Sequence, residues 1–417
     1  MKKKVLVIGS GGREHAIVYQ LSRSAQVDHI YCAPGNAGIA RLAECVRITD
    51  TDVDQLLAFA REKQIDLCVV GPEASLAAGI VDAFRLAGIP IFGHTRAATQ
   101  IESSKEFAKQ LMERYQVPTA AYRTFSDYEE ALQYVRACNT YPTVLKYDGL
   151  AAGKGVVIAQ NEQEAQQALS DMLVGEAFGK GKVVIEQYLE GPEFSFMAFV
   201  DHHRVYPMPL SQDHKRVFDG DNGPNTGGMG AYTPLPFISA EEEQWAFEHI
   251  LQTVADAMVS EGTPLTGVLY GGLMKTEDGI RVIEFNARFG DPETEVVLPL
   301  MESDAYTVFH AIATGEELES IHWRKQATVG VVMASCGYPG SYTKGVEITG
   351  LNDFDGLVLH MGTKEENNRL LTNGGRVLMC TAQGDTIQQA QQKVYAEIQK
   401  IHCTNLFYRK DIAHWAL

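Results

Sequence analysis

The first hundred residues alternate continuous apolar runs with amphipathic stretches. The apolar runs predict four strands, at 5–8, 29–33, 66–71 and 89–93. The amphipathic stretches between them predict helices from about 13, near 53–63 and from 75 to 87. Strands that are apolar throughout are typical of a parallel sheet covered on both faces. We therefore predict a doubly wound parallel-sheet α/β domain over residues 1–102, with ligands at the carboxyl ends of its strands.

The pattern changes after residue 102. The segment SSKEFAKQLMER (103–114) predicts an amphipathic helix capped by Ser103 or Ser104. Mixed strand and helix patterns then predict an α+β domain over 103–325, with a smaller subdomain at about 120–190. This domain also holds a glycine-rich loop (211–232), a long helix (241–260) and a hairpin (266–286). Short strands and one helix (385–401) predict a small C-terminal α/β domain over 326–417.

Composition and charge limit the kinds of partner and the cellular compartment that we expect for the chain. A net charge of −17 argues against a nucleic-acid partner, because the chain has no basic stripe to bind phosphates. No stretch reaches the ~20 apolar residues that a membrane span needs. The seven cysteines are scattered and never spaced C-x-x-C, which is typical of a reduced protein without structural zinc. We expect a cytoplasmic protein with small-molecule partners, as a monomer or weak homo-oligomer.

Two glycine motifs resemble nucleotide-binding loops and depart from them. In VLKYDGLAAGKGVVIA (144–159), Gly149 and Gly153 enclose three residues rather than four, and Gly155 stands where a P-loop needs a hydroxyl. In the first turn, Gly9 and Gly11 begin a dinucleotide fingerprint, but its third glycine is Glu14. Both a P-loop and nicotinamide binding are therefore disfavoured, whereas a helix N-terminus after Gly11 can still bind a phosphate.

Two strands carry regularly placed polar side chains. VIEQYLEGPEFSF (184–196) places Glu186 and Glu193 on either side of apolar residues, as a nucleoside pocket requires. In VIEFNARFGDPETE (282–295), alternation predicts Glu284 and Asn286 on one face, with Ile283 and Phe285 facing the core. Two oxygen ligands on one face suit Mg²⁺. Arg288, just beyond them, could bind a carboxylate or phosphate in a bidentate manner.

The loop 211–232 has no periodicity and many polar side chains. Its five glycines with Asp213, Lys215, Asn225 and Thr226 predict a ligand cradle. His214 has no second histidine or cysteine at metal-ligand spacing, so we assign it no metal.

Seven segments, in this order, resemble the ATP-grasp superfamily and, within it, the glycinamide ribonucleotide synthetase family. They span nearly the whole chain: GSGGREHA (9–16), APGNAG (33–38), VVGPEASLAAGIVD (69–82), KYDGLAAGKGV (146–156), SQDHKRV (211–217), GPNTGGMGAY (223–232) and EFNARFGDPETE (284–295), with RKDI (409–412) near the end. The resemblance implies two α+β subdomains that clamp ATP and a glycine-rich flap over its triphosphate. It further implies Mg²⁺ or Mn²⁺ as cofactor.

The resemblance also implies roles for particular residues. The implied ATP-site residues are Gly153, Lys154 and Gly155 in the flap, Lys105 and Lys146 at the phosphates, Glu186 and Leu189 at the adenine, and Glu193 at the ribose. Glu284 and Asn286 are the implied metal ligands. Gly271 and Gly272 stand where many ATP-grasp enzymes have a further metal carboxylate, which puts a second metal ion in doubt.

The implied reaction joins glycine to 5-phosphoribosylamine through glycyl phosphate, in purine synthesis. We assign Arg288, Asp213 and Lys215 to the catalytic site, where Arg288 steadies the glycine carboxylate and Asp213 binds its ammonium group. The hypothetical substrate-binding residues are Gly11, Gly12 and Arg13 at the 5-phosphate, Asn36 and Glu73 at the ribose hydroxyls, and Asn225, Thr226, Gly227 and Gly228 in the cradle. A general base stays open between Asp213, Asp291 and none.

Three alternatives remain at this stage. Another ATP-grasp acyl-phosphate ligase of purine synthesis, a carboxylase or formate-using transformylase, would share Lys146 and Glu284 but should lack GPNTGGMGAY. A nicotinamide oxidoreductase is disfavoured by Glu14. A nucleotide-sensing module without turnover would give no reason for Arg288 and the carboxylates near it.

Overall fold

The computed structural model describes residues 2–149, 155–175 and 181–417. Its first region is a five-stranded parallel sheet in the order β3-β2-β1-β4-β5. The strands are β1 Lys3–Gly9, β2 Val27–Pro34, β3 Glu44–Cys45, β4 Leu67–Val70 and β5 Ile91–Phe92. The central strands are apolar and buried on both faces, as the sequence predicts for a doubly wound sheet.

Helices cover this sheet and lead out of it. They are α1 Gly12–Ser22, α2 Val53–Lys63, α3 Glu73–Ala78, α4 Ile80–Leu86, α5 Gln100–Ser103 and α6 Lys105–Arg114. The single helix predicted over 75–87 is wrong, because Gly79 adopts φ 87° and separates α3 from α4. Ser104 caps α6 by accepting a hydrogen bond from the Phe107 amide, which confirms one of the two predicted caps.

The next region contains two antiparallel sheets. The first has the order β6-β9-β7-β8, and its strands and helices are β6 Tyr122–Phe125, α7 Tyr128–Cys138, β7 Thr143–Tyr147, β8 Val156–Ala159, α8 Glu162–Leu173 and β9 Val183–Gln187. The two helices pack on this sheet around Leu132, Leu145 and Leu169. The second sheet has the order β11-β10-β16-β17, with β10 Glu193–Asp201, β11 Arg204–Pro207, β16 Thr266–Thr276 and β17 Gly279–Asn286.

The glycine-rich loop is more ordered than its sequence pattern predicts. It contains four short strands: β12 Gln212–Asp213, β13 Arg216–Phe218, β14 Asn222–Asn225 and β15 Gly230–Thr233. Strands β13 and β14 form a hairpin, whereas β12 and β15 extend the sheet of the last region. The absence of periodicity misled the prediction because each strand is too short to alternate.

The long helix predicted over 241–260 spans 240–260 and changes geometry in the middle. It consists of α9 Ala240–Ala246, a π-helical segment Phe247–Gln252 and α10 Thr253–Ser260. Two further helices follow, α11 Thr294–Val297 and α12 Ala305–Thr314. No helix among the described residues has the length and apolar character needed to cross a bilayer.

The last region is built on the sheet β12-β15-β18-β22-β19, with β23 paired to β18. Its elements are β18 Ala327–Ser335, β19 Leu357–His360, β20 Thr363–Glu366, β21 Arg369–Thr372, β22 Arg376–Gly384, α13 Ile387–Ile398 and β23 Leu406–Phe407. Because β12 and β15 come from 211–232, this sheet carries the glycine-rich loop on its edge. The C-terminal region thereby supports the segment that holds Asp213 and Lys215.

Candidate active site

A cavity of about 540 Å³ lies where the three regions meet. The first region contributes Arg13 and Glu73, and the last contributes Tyr338 and Arg376. Most of the wall comes from α6, β7, β9, the glycine-rich loop and β17. Most of the residues that the sequence assigned to ATP, metal and catalysis line this single cavity.

A bulge in β17 determines which of its side chains face the cavity. Gly272 pairs with Glu284 and Leu273 pairs with Val282, so Ile283 has no opposite residue in the ladder. As a result Ile283, Glu284, Phe285 and Asn286 all line the cavity. The predicted core position of Ile283 is wrong, because strict alternation fails at a bulge, and Ile283 instead supplies apolar wall.

Three lysines and one glutamate lie together in the part of the cavity next to β7. Glu186 is 4 % exposed and contacts Lys109 Nζ at 2.9 Å and Lys146 Nζ at 3.1 Å. Lys146 also donates to the Ile283 carbonyl, and Lys105 donates to the Gly149 carbonyl at 3.1 Å. Burial lowers the pKa of Lys109 to about 8, against the opposing effect of Glu186. Lys146 is therefore a buried, directed cation rather than a solvated surface lysine.

Arg288 is held by carboxylates from two other elements. Its Nη2 lies 3.1 Å from Glu102 Oε1 and its Nε lies 3.5 Å from Glu73 Oε2. Nη2 also donates to Asn286 Oδ1 at 3.3 Å. Burial raises the pKa of Glu102 although Arg288 opposes it, and Glu102 Oε2 accepts from the Ala287 amide. The guanidinium is thus oriented next to the Glu284 and Asn286 pair.

Asp213 and Lys215 enter the cavity from β12 and the loop beyond it. Burial raises the pKa of Asp213 to about 7, and Glu293 and Glu193 add to this while Lys215 opposes it. Lys215 donates to Glu193 Oε2, and the nearby carboxylates keep the pKa of this lysine well above its usual value despite burial. The loop therefore presents a carboxylate that titrates near neutrality beside a permanent cation.

Glu293 is fixed by two buried hydroxyl groups. Ser195 Oγ and Tyr270 OH donate to Glu293 Oε1 at 2.7 and 2.8 Å. These two hydrogen bonds hold the Glu293 carboxylate in one orientation at the cavity wall. Tyr270 itself has a strongly raised pKa through burial and the neighbouring Glu293 and Asp213 charges.

Glu14 stands where a dinucleotide-binding turn would have its third glycine, and its carboxylate has a structural role in that turn. Glu14 is 2 % exposed, and its carboxylate accepts from the Gly11 amide and from Arg13 Nε, each at 2.6 Å. A methyl group on Gly71 would lie 2.0 Å from Glu14 Oε1. The carboxylate thus occupies the space between the first turn and β4. Arg13 also donates to the Phe289 carbonyl, and its side chain lines the main cavity.

A second cavity of about 340 Å³ adjoins the first and shares Asp291 and Arg376 with it. Arg376 Nη1 lies 2.8 Å from Asp291 Oδ1 and also donates to carbonyls of Gly227 and Asp291. Gly11 and Asn36 line this second cavity. The amide of Asn36 is occupied by the backbone, because it donates to the Ser10 and His360 carbonyls and accepts from Gly38 and Ile39.

Several sequence-assigned residues lie elsewhere. Gly153 and Lys154 fall outside the described residues, whereas Gly155 lines the main cavity. Leu189 lines a third cavity behind the 187–192 segment rather than the main one, which does not favour its adenine assignment. In the glycine-rich loop, Asn225, Thr226 and Gly227 line the main cavity, and Thr226 Oγ1 donates to the Lys215 carbonyl.

Two assigned glycines pack instead of lining either cavity. A methyl group on Gly12 would lie 2.4 Å from Glu295 Oε1. Gly228 adopts φ 106°, and a methyl group there would lie 2.4 Å from Pro292 Cδ. Both positions therefore need glycine for close approach of neighbouring segments.

The sequence pattern did not single out five charged or aromatic wall residues: Glu102, Lys109, Tyr270, Tyr338 and Arg376. Lys109 had a signal, since it follows Lys105 by four positions and so lies on the same face of α6. No such sequence signal marks Arg376, because the pattern of its segment predicts only short strands.

This fold and this cavity of lysines, carboxylates and a glycine loop define an ATP-grasp enzyme. Three family models match consecutive parts of the chain: Phosphoribosylglycinamide synthetase N domain at 3–102, ATP-grasp (A) domain at 103–294 and C domain at 328–415. The chain belongs to the phosphoribosylglycinamide synthetase family, which confirms the resemblance and the fold class.

Individual relatives agree with the family models. A phosphoribosylamine–glycine ligase of Halalkalibacterium halodurans is 52% identical over 417 residues, covering 99% of this chain and 97% of the relative. The crystal structure of a phosphoribosylamine–glycine ligase from Thermotoga maritima superposes with a TM-score of 0.85 at 34% identity, covering 98% of this chain and 100% of that one. The biotin carboxylase domain of a Hydrogenobacter thermophilus 2-oxoglutarate carboxylase, solved with MgADP, ADP and bicarbonate, shares the fold at 17% identity, with a TM-score of 0.76 and coverage of 98% and 92%.

Proposed function

We propose that the chain is an ADP-forming carbon–nitrogen ligase that joins glycine to 5-phosphoribosylamine. The γ-phosphoryl group of ATP is transferred to the glycine carboxylate, and the 1-amino group then displaces phosphate from glycyl phosphate. The products are glycinamide ribonucleotide, ADP and phosphate, in de novo purine synthesis. The single observation that carries the proposal is one cavity that joins Lys105 and Lys146 to Glu284, Asn286 and Arg288 in a chain of this family.

The triphosphate requires positive charge more than covalent help, because phosphoryl transfer depends on position and charge neutralisation. Lys105 and Lys146 supply that charge in our proposal. Glu186 holds Lys146 in place through Oε1, and its other oxygen, Oε2, is paired with Lys109. The apolar side chains of Met112, Ile283 and Phe285 line the same cavity and are suited to pack against the adenine base of ATP.

The donor set at β17 fits Mg²⁺ or Mn²⁺. Glu284 and Asn286 offer a carboxylate and an amide oxygen to the cavity. Burial acts to raise the pKa of Glu284, but the net shift is downward because of the positive charges of Lys215, Lys146, Lys105 and Arg288. No cluster of three or more histidine, cysteine or acidic ligands occurs among the described residues, so phosphate and water oxygens must complete the shell. When bound, such an ion would neutralise charge on the transferring phosphoryl group.

Glycine has two charged ends, and the cavity offers a partner for each. Arg288 is the cation for the carboxylate, since Glu102 and Glu73 orient its guanidinium from one side. Asp213 is the partner of the ammonium group, with Lys215 at its side. The acyl phosphate must be kept from water. The glycine-rich segment 149–155 is our candidate for that covering role, although Gly153 and Lys154 lie outside the described residues.

The reaction is tested by phosphate release from ATP and Mg²⁺, with glycine and freshly prepared phosphoribosylamine omitted in turn. We expect release only when both are present, together with a glycine-containing ribonucleotide product. Release that ignores glycine but responds to bicarbonate or formate would instead indicate another acyl-phosphate ligase. A bound nucleotide without turnover would indicate a sensing module.

We also propose that the enzyme works in the cytoplasm as a monomer or weak homo-oligomer. All seven cysteines are free, which fits a reducing compartment. Light scattering over a range of concentrations would test the oligomeric state, and a stable dimer at every concentration would contradict it.

A further inference from the structure

The second cavity differs from the first in its chemistry. Five of its twelve lining residues are glycines: Gly11, Gly35, Gly362, Gly374 and Gly375. Loops rich in glycine expose peptide groups to a ligand, and such concave surfaces bind anions. Among the described lining residues, Asp291 is the one carboxylate, and Arg376 is paired with it.

Arg376 still has donors for a ligand. Within the described part of the chain, its side-chain hydrogen bonds and its ion pair are all made by Nη1: to the Gly227 carbonyl, the Asp291 carbonyl and Asp291 Oδ1. The Nε and Nη2 groups remain available. A guanidinium with one edge fixed and another edge available is suited to bidentate binding of phosphate.

Arg13 does not offer the second cavity a comparable phosphate-binding group. Its Nε donates to Glu14 and its Nη1 to the Phe289 carbonyl, and it lines the first cavity but not the second. Gly11, by contrast, does line the second cavity, and a methyl group built on it would lie 3.5 Å from Asp291 Oδ2. Asp291 therefore stands at the passage between the two cavities.

We propose that the second cavity binds the phosphate monoester of the ribose substrate, with Arg376 as its cation, and that Asp291 receives the amine end at the passage to the first cavity. This inference rests on the proposed reaction. It places the two ends of one substrate in two adjoining cavities, so that the amine faces the compartment where the acyl phosphate forms. The C-terminal region thereby becomes part of the substrate site.

Ribose 5-phosphate is the probe, since it keeps the phosphate and lacks the labile amine. Its affinity for the full chain is measured by calorimetry, with ribose as the comparison. Arg376→Ala should weaken ribose 5-phosphate by about ten- to a hundred-fold, the range expected for a lost hydrogen bond to a charged group. Arg13→Ala should leave its affinity within about two-fold, a shift worth only a few tenths of a kcal/mol.

A second pair of variants guards against a folding defect. Asn373 is exposed on the rim of the second cavity, so Asn373→Asp adds a negative charge without a change of size. It should weaken ribose 5-phosphate but not ribose or an ATP analogue. Asn367→Asp places the same charge on the exposed β20–β21 turn, away from the lining, and should bind like the unmodified chain.

The outcomes separate the subsite from the reaction. Turnover by the unmodified chain, with undiminished ribose 5-phosphate binding in both Arg376→Ala and Asn373→Asp, would overturn the subsite and leave the reaction standing. Loss of binding in Arg13→Ala alone would also overturn it. Loss in Arg376→Ala and Asn373→Asp would support the subsite even if phosphate release by the unmodified chain followed another acceptor.

Discussion

At the scale of single residues, Asp213 couples the site to pH. Burial, Glu293 and Glu193 raise its pKa to about 7, while Lys215 opposes the rise. A raised carboxyl pKa means that the charged form is complete only above that pH. Since the carboxylate is the proposed partner of the glycine ammonium group, glycine should bind poorly when Asp213 is protonated.

We therefore expect kcat/KM for glycine to rise with pH through an apparent pKa near 7, because this parameter reports the free enzyme. Asp213→Asn should abolish that rise and lower kcat/KM by roughly 10²- to 10³-fold, as for other single electrostatic groups. Lys215→Met should move the rise to higher pH, because Lys215 favours the carboxylate. An unchanged pH profile in Asp213→Asn would remove Asp213 from the glycine site.

At the scale of elements, the end of the chain holds the β13–β14 hairpin. Arg409 is 1 % exposed, and its Nε and Nη2 bind Asp411 while its Nη1 binds Asp221 at 2.8 Å and the Arg216 carbonyl at 3.0 Å. Trp415 Nε1 also donates to Asp221. We call Arg409, Asp411 and Trp415 the C-terminal clasp. The hairpin that it holds joins Lys215 to Thr226, and both line the main cavity.

Arg409→Ala should therefore lower kcat by about ten- to a hundred-fold, because small misplacements at a reacting centre are costly. The KM for ATP should change little, since the lysines of α6 and β7 are untouched. Arg324→Ala is the control: Arg324 donates to the Pro299 carbonyl and to Gln383 Oε1, and none of its side-chain hydrogen bonds with described residues reaches the hairpin. Steady-state kinetics and melting temperatures of both variants test whether the clasp affects catalysis or only stability. Lower stability with an unchanged kcat in Arg409→Ala would limit the clasp to folding.

The same scale explains what the sequence could and could not predict. The parallel sheet, Ser104 as a cap and the β16–β17 hairpin followed from local periodicity and turn chemistry. Ile283 was misassigned because a bulge depends on the pairing partner, which periodicity does not record. The strands of 211–232 were missed because each is too short to alternate, and because β15 is placed by pairing with the distant strand β18. Arg376 was missed for the same reason, since only the tertiary fold brings it to Asp291.

At the scale of the whole molecule, charge governs how ATP can bind. The chain carries −17, so its long-range field does not attract a triphosphate. Among the described residues the main cavity does not reverse this, because seven basic and seven acidic side chains line it: Arg13, Lys105, Lys109, Lys146, Lys215, Arg288 and Arg376 against Glu73, Glu102, Glu186, Asp213, Glu284, Asp291 and Glu293. These formal charges cancel, so the described part of the wall has no surplus positive charge for the triphosphate.

A divalent cation should therefore be needed for ATP to bind, and not only for the chemical step. We expect a non-hydrolysable ATP analogue to bind at least about a hundred-fold more weakly when EDTA replaces Mg²⁺, a difference of about 2.7 kcal/mol. Adenosine carries no phosphate, so its affinity should not respond to EDTA, which makes it the control in the same calorimetric series. Glu284→Gln should reduce the effect of Mg²⁺ on the analogue and leave adenosine binding as it was. Equal affinity of the analogue with and without Mg²⁺ would mean that the lysines of α6 and β7 suffice, and that the acidic half of the cavity wall is screened from the triphosphate.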